Sequence, residues 1–226
     1  MTEKESILAR VREALKSPTS PGGTHGPAQP AGLPSASNSR QWLPPVGKSL
    51  QEQMELFRKN TAELKADFYL VSDWLEASEI LRKLQEQEGW QRIGAHKGEL
   101  TDLACDTLRL PVCRTDQAYD VCSLEACDAG ISECDALIAQ TGSVLVTGRS
   151  AGGRALSVLP LHHVVIARRA QLLPDLLAAF ELLEKKYGEN YPSFISLITG
   201  PSRTGDIERV LVLGAHGPKK LSIICF

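Results

Sequence analysis

From residue 49 onward, short apolar runs alternate with stretches whose apolar residues recur at helical spacing, and this alternation restricts the chain to an α/β fold. Leu50, Met54, Phe57 and Leu64 predict a helix over residues 49–65, and residues 68–71 read as a strand. Asp73 is placed to cap a helix carrying Leu75, Ile80, Leu81 and Leu84, which Gly89 stops. Residues 90–93 read as a strand, 100–108 as a short helix and 118–124 as another strand. Runs 136–139 and 143–147 flank Gln140-Thr141-Gly142 as a hairpin; 164–167 is a strand, and Pro174 opens a helix that ends near Gly188.

Two further apolar runs follow, 195–198 and 210–213, each bounded by Gly and Pro turns. Continuous runs of this kind predict strands buried on both faces. The final pair, 209–213 and 221–226, is expected to form a second hairpin around His216-Gly217-Pro218-Lys219. The sum is a mostly parallel α/β sheet.

Ahead of this region, residues 3–16 place Ile7, Leu8, Val11 and Leu15 on one helical face. Residues 17–47 are rich in Pro, Gly, Ser and Ala and read as a flexible linker. The expected organisation is therefore an amphipathic helix over 1–16, a linker over 17–47 and an α/β domain over 48–226. A net charge of -2 and 5% aromatic residues give no electrostatic or stacking basis for nucleic acid. No apolar stretch reaches the length of a membrane span, and the first residues lack the apolar core of a signal peptide, so a cytoplasmic location is expected. The six cysteines show no C-x-x-C spacing and read as reduced thiols, with no metal and no cofactor assigned to this chain.

Ligands of open α/β sheets gather where strands end, which directs attention to the turns at 199–206 and 214–218. Ser202 and Thr204 offer hydroxyls, and Arg203 a planar fork for a carboxylate or phosphate. Ordinary turn chemistry, with Asp206 paired to Arg203 or Arg209, accounts for the same residues. His216, between glycines, is the acid/base candidate because an unperturbed imidazole titrates near neutrality. Gly148-Arg149-Ser150-Ala151-Gly152 matches G-x-S-x-G, with Asp175 or Asp206 and His216 in hydrolase order. Too little chain separates it from Pro160 for the helix a nucleophile elbow requires, so it is read as a Gly-rich loop. His162 and His163 are adjacent, so a strand would direct them to opposite faces and they make poor joint ligands. Neither G-x-G-x-x-G nor a phosphate-loop motif occurs.

Three segments carry a family resemblance. Asp135-Ala136-Leu137-Ile138-Ala139-Gln140-Thr141-Gly142-Ser143, then Leu159-Pro160-Leu161-His162-His163, then Thr199-Gly200-Pro201-Ser202-Arg203-Thr204 with Asp206-Ile207-Glu208 and Leu213-Gly214-Ala215-His216-Gly217-Pro218 resemble, in order, the markers of the lactate-utilization protein C family, the LUD-domain proteins. Gln140 stands where that family usually carries an acid, so no carboxylate role is assigned there. The resemblance implies a three-layer α/β/α fold related to the ribose-phosphate isomerase and CoA-transferase group. It also implies iron-sulfur partner subunits and conversion of L-lactate to pyruvate by the assembly.

Within that frame the expected site is an anion-binding crevice. Thr141, Gly142, Thr199, Gly200, Ser202, Arg203, Thr204 and Gly217 would bind substrate, and His216 and Asp206 would handle protons. Two alternatives stay open: a self-sufficient isomerase- or transferase-like enzyme acting on a phosphorylated or CoA-linked metabolite, and a non-catalytic assembly or regulatory module.

Overall fold

The computed structural model describes residues 43–207, 210–214 and 216–226, with 204–207 and 210–213 as backbone. The expected 1–16 helix and the part of the linker before Leu43 lie outside the described residues.

Helix α1 (Leu50–Glu63) starts on a reciprocal cap in which the Ser49 side chain accepts from the Glu52 amide and the Glu52 carboxylate accepts from the Ser49 amide. Strand β1 (Asp67–Leu70) follows, then α2 (Trp74–Glu88), capped by Asp73 and ended by Gly89 in the left-handed region. Strand β2 (Ile93–Ala95) leads to α3 (Glu99–Leu108) and β3 (Val112–Arg114). The expected strand over 118–124 is instead a short helix, α4 (Val121–Glu125), because Asp120 accepts the Ser123 amide and fixes a helical turn. Strands β4 (Ala129–Ser132), β5 (Ala136–Ile138), β6 (Ser143–Thr147), β7 (His162–Ala167) and β8 (Leu172–Leu173) precede α5 (Leu176–Tyr187), capped by Asp175. The chain closes with β9 (Ile195–Ile198), β10 (Arg203–Ile207), β11 (Val210–Leu213) and β12 (Lys220–Cys225).

Six strands form a parallel sheet in the order β1-β12-β7-β4-β2-β3. Its central strands are buried on both faces, and their alternating side chains feed two cores. Val164 and Ile166 of β7 pack with Leu81, Leu84, Leu100 and Ala104 of α2 and α3. Val165 and Ala167 face the other way, onto Met54 and Phe57 of α1 and onto a second sheet through Leu137, Val144 and Val146. That second sheet runs β8-β5-β6-β9 and is covered on its outer face by α5, through Ala179, Leu183 and Tyr187. The expected α/β fold around a largely parallel sheet is present, and the layer against one face is itself part sheet.

Two further expectations are corrected. Strand β9 is an edge strand with Ile195 and Leu197 exposed at 40% and 39%, so its apolar run does not signify burial on both faces. Strand β11 pairs antiparallel with β10, whereas β12 joins the parallel sheet between β1 and β7. The apolar run of β12 is longer and is buried from Leu221 to Cys225, so its burial in the central sheet outweighs a local hairpin.

Candidate functional site

The strand order reverses once. The chain passes from β2 outward to its neighbour β3, then returns across β2 to place β4 on the other side. Beyond the carboxyl ends of β2 and β4 the backbone diverges, which is where open α/β sheets hold ligands. His96 and Lys97 follow β2, Thr115 and Asp116 follow β3, and Glu133 follows β4.

These ends are tied to one another. His96 is 4% exposed. Its Nδ1 lies 3.0 Å from the Lys97 carbonyl and donates to it, which leaves Nε2 to accept from the Glu133 amide at 3.3 Å. Burial lowers the His96 pKa, so the ring is neutral near pH 7. The Glu133 carboxylate accepts the Leu100 and Thr101 amides at 2.9 and 3.4 Å, supplying the cap for α3 that Gly98 lacks. Arg114 donates from Nη1 to the His96 carbonyl at 2.7 Å and to Asp102 Oδ1 at 2.6 Å. Asp116 accepts the Lys97 amide at 2.7 Å.

The opposite wall is the Gly-rich loop after β6. Gly152 lies so close to β2 and β3 that a Cβ there would sit 2.3 Å from His96 Cβ and 2.5 Å from Thr115 Oγ1, and its φ of 62° also favours glycine. Beneath the loop, Asp135 Oδ1 accepts from Lys186 Nζ at 2.5 Å and from the Tyr187 hydroxyl at 2.7 Å. Tyr187 reaches Thr147 Oγ1 at 3.1 Å, and Ser150 Oγ accepts the Thr147 amide at 2.9 Å. Ser150 is thus a loop anchor.

Between these walls lies a cavity of about 580 Å³ whose lining includes Lys97, Thr115, Asp116, Arg149, Arg154 and Phe194. Lys97 and Arg154 make no side-chain hydrogen bond or ion pair among the described residues, and Arg149 donates to the Asn190 carbonyl with its guanidinium 5.2 Å from the Tyr187 ring centre. Thr115 Oγ1 is buried without a hydrogen-bond partner among the described residues. Three cations and one carboxylate around a neutral histidine suit an anion. Both ring nitrogens of His96 are engaged, so it holds the wall and is not free to take a proton.

A family model described as the LUD domain matches residues 54–225, almost the whole of this α/β unit. The chain belongs to the LUD-domain family. Its LUD domain resembles lactate utilization protein C of Geobacillus kaustophilus, 25% identical over 204 residues, or 84% of this chain and 85% of that one. Lactate utilization protein C 1 of Bacillus mycoides is 34% identical over 111 residues, covering 48% and 47% of the two chains. The counterpart from Halalkalibacterium halodurans is 38% identical over 96 residues, 42% of each. In these last two the matched stretch spans less than half of the relative's length. The crystal structure of a DUF162 family protein from Deinococcus radiodurans shares the fold, with a TM-score of 0.58 at 21% identity over 79% of this chain and 99% of that one.

The LUD-domain markers occupy both edges of the parallel sheet. Asp135 sits in the buried network at the carboxyl edge. The closing signature lies at the amino edge, since the Ser202 amide donates to the Pro218 carbonyl and the Lys219 amide to Leu161, just ahead of β12 and β7. The turns carrying Thr141-Gly142 and Thr199-Gly200 meet at the end of α1, where Ser143 and Thr199 hydroxyls are 2.8 Å apart. Gly142 abuts Asn60 and Thr61, and Gly200 abuts Leu64. Arg203 is exposed and donates to the Leu64 carbonyl. Ser202 and Gly217 are adjacent, His216 is exposed in the following loop, and Thr204 and Asp206 lie along β10. His162 and His163, expected ahead of a strand, form the first two positions of β7 and bond to Ser222 and Ser132, each at 2.9 Å.

The sequence reading therefore gathers one group of turns and misses Lys97, Thr115, Arg149 and Arg154. A signal for them exists: an Arg at each end of a Gly-rich loop directly after a strand, and a His-Lys-Gly turn between a strand and a helix. All six cysteines are free, and among the described residues no group of three or more His, Cys, Asp or Glu is placed to hold a metal ion.

Proposed function

We propose that this chain is the cluster-free subunit of a cytoplasmic lactate-utilization system, with its ligand-binding crevice at the carboxyl ends of β2 and β3. In this reading the assembly oxidises L-lactate to pyruvate, releasing two electrons and two protons per molecule, and iron-sulfur partner subunits receive the electrons. LUD-domain membership over 54–225 and relatives named lactate utilization protein C support the role. The observation that carries this chain's own contribution is the convergence of Lys97, Arg149 and Arg154 on one crevice.

The reading places the anion here and not at the turn around Arg203. The end of α1 presents its last carbonyls to that turn, the negative pole of a helix, and the guanidinium already answers one of them. A carboxylate seated there would compete with Leu64 for the same donor.

Copurification tests the proposal. A tagged chain expressed in its native host is expected to bring down iron-sulfur proteins, and deletion of its coding sequence is expected to abolish growth on L-lactate. Recovery as a lone chain together with undiminished growth would overturn it.

A further inference from the structure

We infer that the crevice between the carboxyl ends of β2 and β3 and the loop after β6 holds a phosphate-bearing ligand of higher charge and larger size than a three-carbon acid. The inference rests on reading this crevice as the anion site and names the class of anion.

Volume is the first argument. At about 580 Å³ the cavity falls within the range of roughly 300–1,000 Å³ that sites for drug-sized ligands occupy. A lactate or pyruvate ion would fill a small fraction of it and leave most of its walls in contact with water.

Charge is the second. Lys97 reaches the crevice from the end of β2, and Arg149 and Arg154 from the two ends of the loop, against the single carboxylate of Asp116. A monocarboxylate would satisfy one of these cations, whereas a phosphate monoester or diphosphate brings two or more negative charges and enough oxygens for all three.

Backbone geometry is the third. Gly152 and Gly153 have φ of 62° and 99°, and their amides donate to no acceptor among the described residues. Successive amides through a left-handed glycine form a concave donor nest of the kind that cradles phosphate oxygens. A Cβ on Gly153 would meet nothing within 4 Å, so the loop is open on that side. Thr115 Oγ1, buried and unpartnered among the described residues, adds a hydroxyl to the same wall. Phe194, half-buried on the core, provides an apolar surface for the organic part of the ligand.

Calorimetric titration of the full chain with pyrophosphate, inorganic phosphate, L-lactate and pyruvate at constant ionic strength tests this. Pyrophosphate is expected to bind at least about tenfold more tightly than L-lactate, and Arg154→Ala to weaken it by about tenfold or more, as loss of a charge-assisted bond implies. Arg154→Lys should recover part of the loss, and Lys220→Ala, on the opposite edge of the sheet, should change nothing. Thermal unfolding of each variant separates lost binding from lost folding. L-lactate binding as tightly as pyrophosphate, or an Arg154→Ala chain that folds and binds pyrophosphate normally, would overturn the inference. The first of these results leaves the lactate-utilization role intact. Conversely, pyrophosphate binding that depends on Arg154 in a host whose growth on L-lactate survives deletion upholds this inference and removes that role.

Discussion

The Glu133 amide donates to Nε2 of His96 across 3.3 Å, joining the end of β4 to the end of β2 at the point where the strand order reverses. The same residue's carboxylate caps α3. One residue therefore ties down the His96 wall of the crevice through its backbone amide and the first turn of the adjoining helix through its carboxylate. Glu133→Ala is expected to cost about 1–2 kcal/mol, the usual loss when a helix cap is removed. Urea unfolding measures it, and Glu133→Gln, which keeps an acceptor, should lose less.

Gly152 and Gly153 make a discriminating pair. Gly152→Ala drives a methyl into His96 and Thr115, so both stability and anion binding should fall. Gly153→Ala meets open space and should carry only the backbone strain, of order 1 kcal/mol. Parallel thermal melts and titrations of the two variants check the difference.

Asp135 gives a pH-dependent test. Burial raises its pKa, but hydrogen bonds from Lys186, Ser150, Tyr187 and Thr147 outweigh burial and hold the carboxyl below its ordinary value. A carboxyl depressed in the folded state stabilises above its unfolded pKa of about 3.9, and that contribution is lost as pH falls through the folded value. Asp135→Asn should therefore destabilise by about 2–3 kcal/mol near neutrality, with the gap to the wild type closing below about pH 4. Urea curves across that range provide the measurement.

His162 and His163 act at higher pH. Burial pushes their pKa values down to about 4 and about 3, with His162 adding to the shift of His163. The unfolded chain takes up their protons first, so stability is full above an unfolded pKa of about 6.5 and is lost as pH falls toward the folded values. The expected slope is about 1.4 kcal/mol per pH unit for each histidine within that window. Replacing His163 with Gln should reduce the slope of unfolding free energy against pH by about one proton. An unchanged slope would contradict the assignment.

Much of the scaffold was legible because local chemistry decided it. Asp73 caps a helix, Gly89 and Gly188 end two helices, and Thr141-Gly142 turns the β5-β6 hairpin. What misled were short segments whose fate depends on distant partners. Residues 121–125 carry strand-like Val and Cys, yet one Asp120 cap makes them helical. Strand β12 looks like the partner of β11 until its burial between β1 and β7 is known. The crevice was hidden for the same reason: Lys97 and Arg154 lie 57 positions apart, and only the packing of the Gly152 loop against the ends of β2 and β3 brings them together. The closing family signature pointed to the amino edge, where Arg203 closes the end of α1.

Crystals soaked with pyrophosphate decide most directly between the two edges of the sheet. The account predicts an ordered anion between Lys97, Arg149 and Arg154, against the Gly152 and Gly153 amides. An anion seated on Arg203 beside His216, with the crevice vacant, would contradict it.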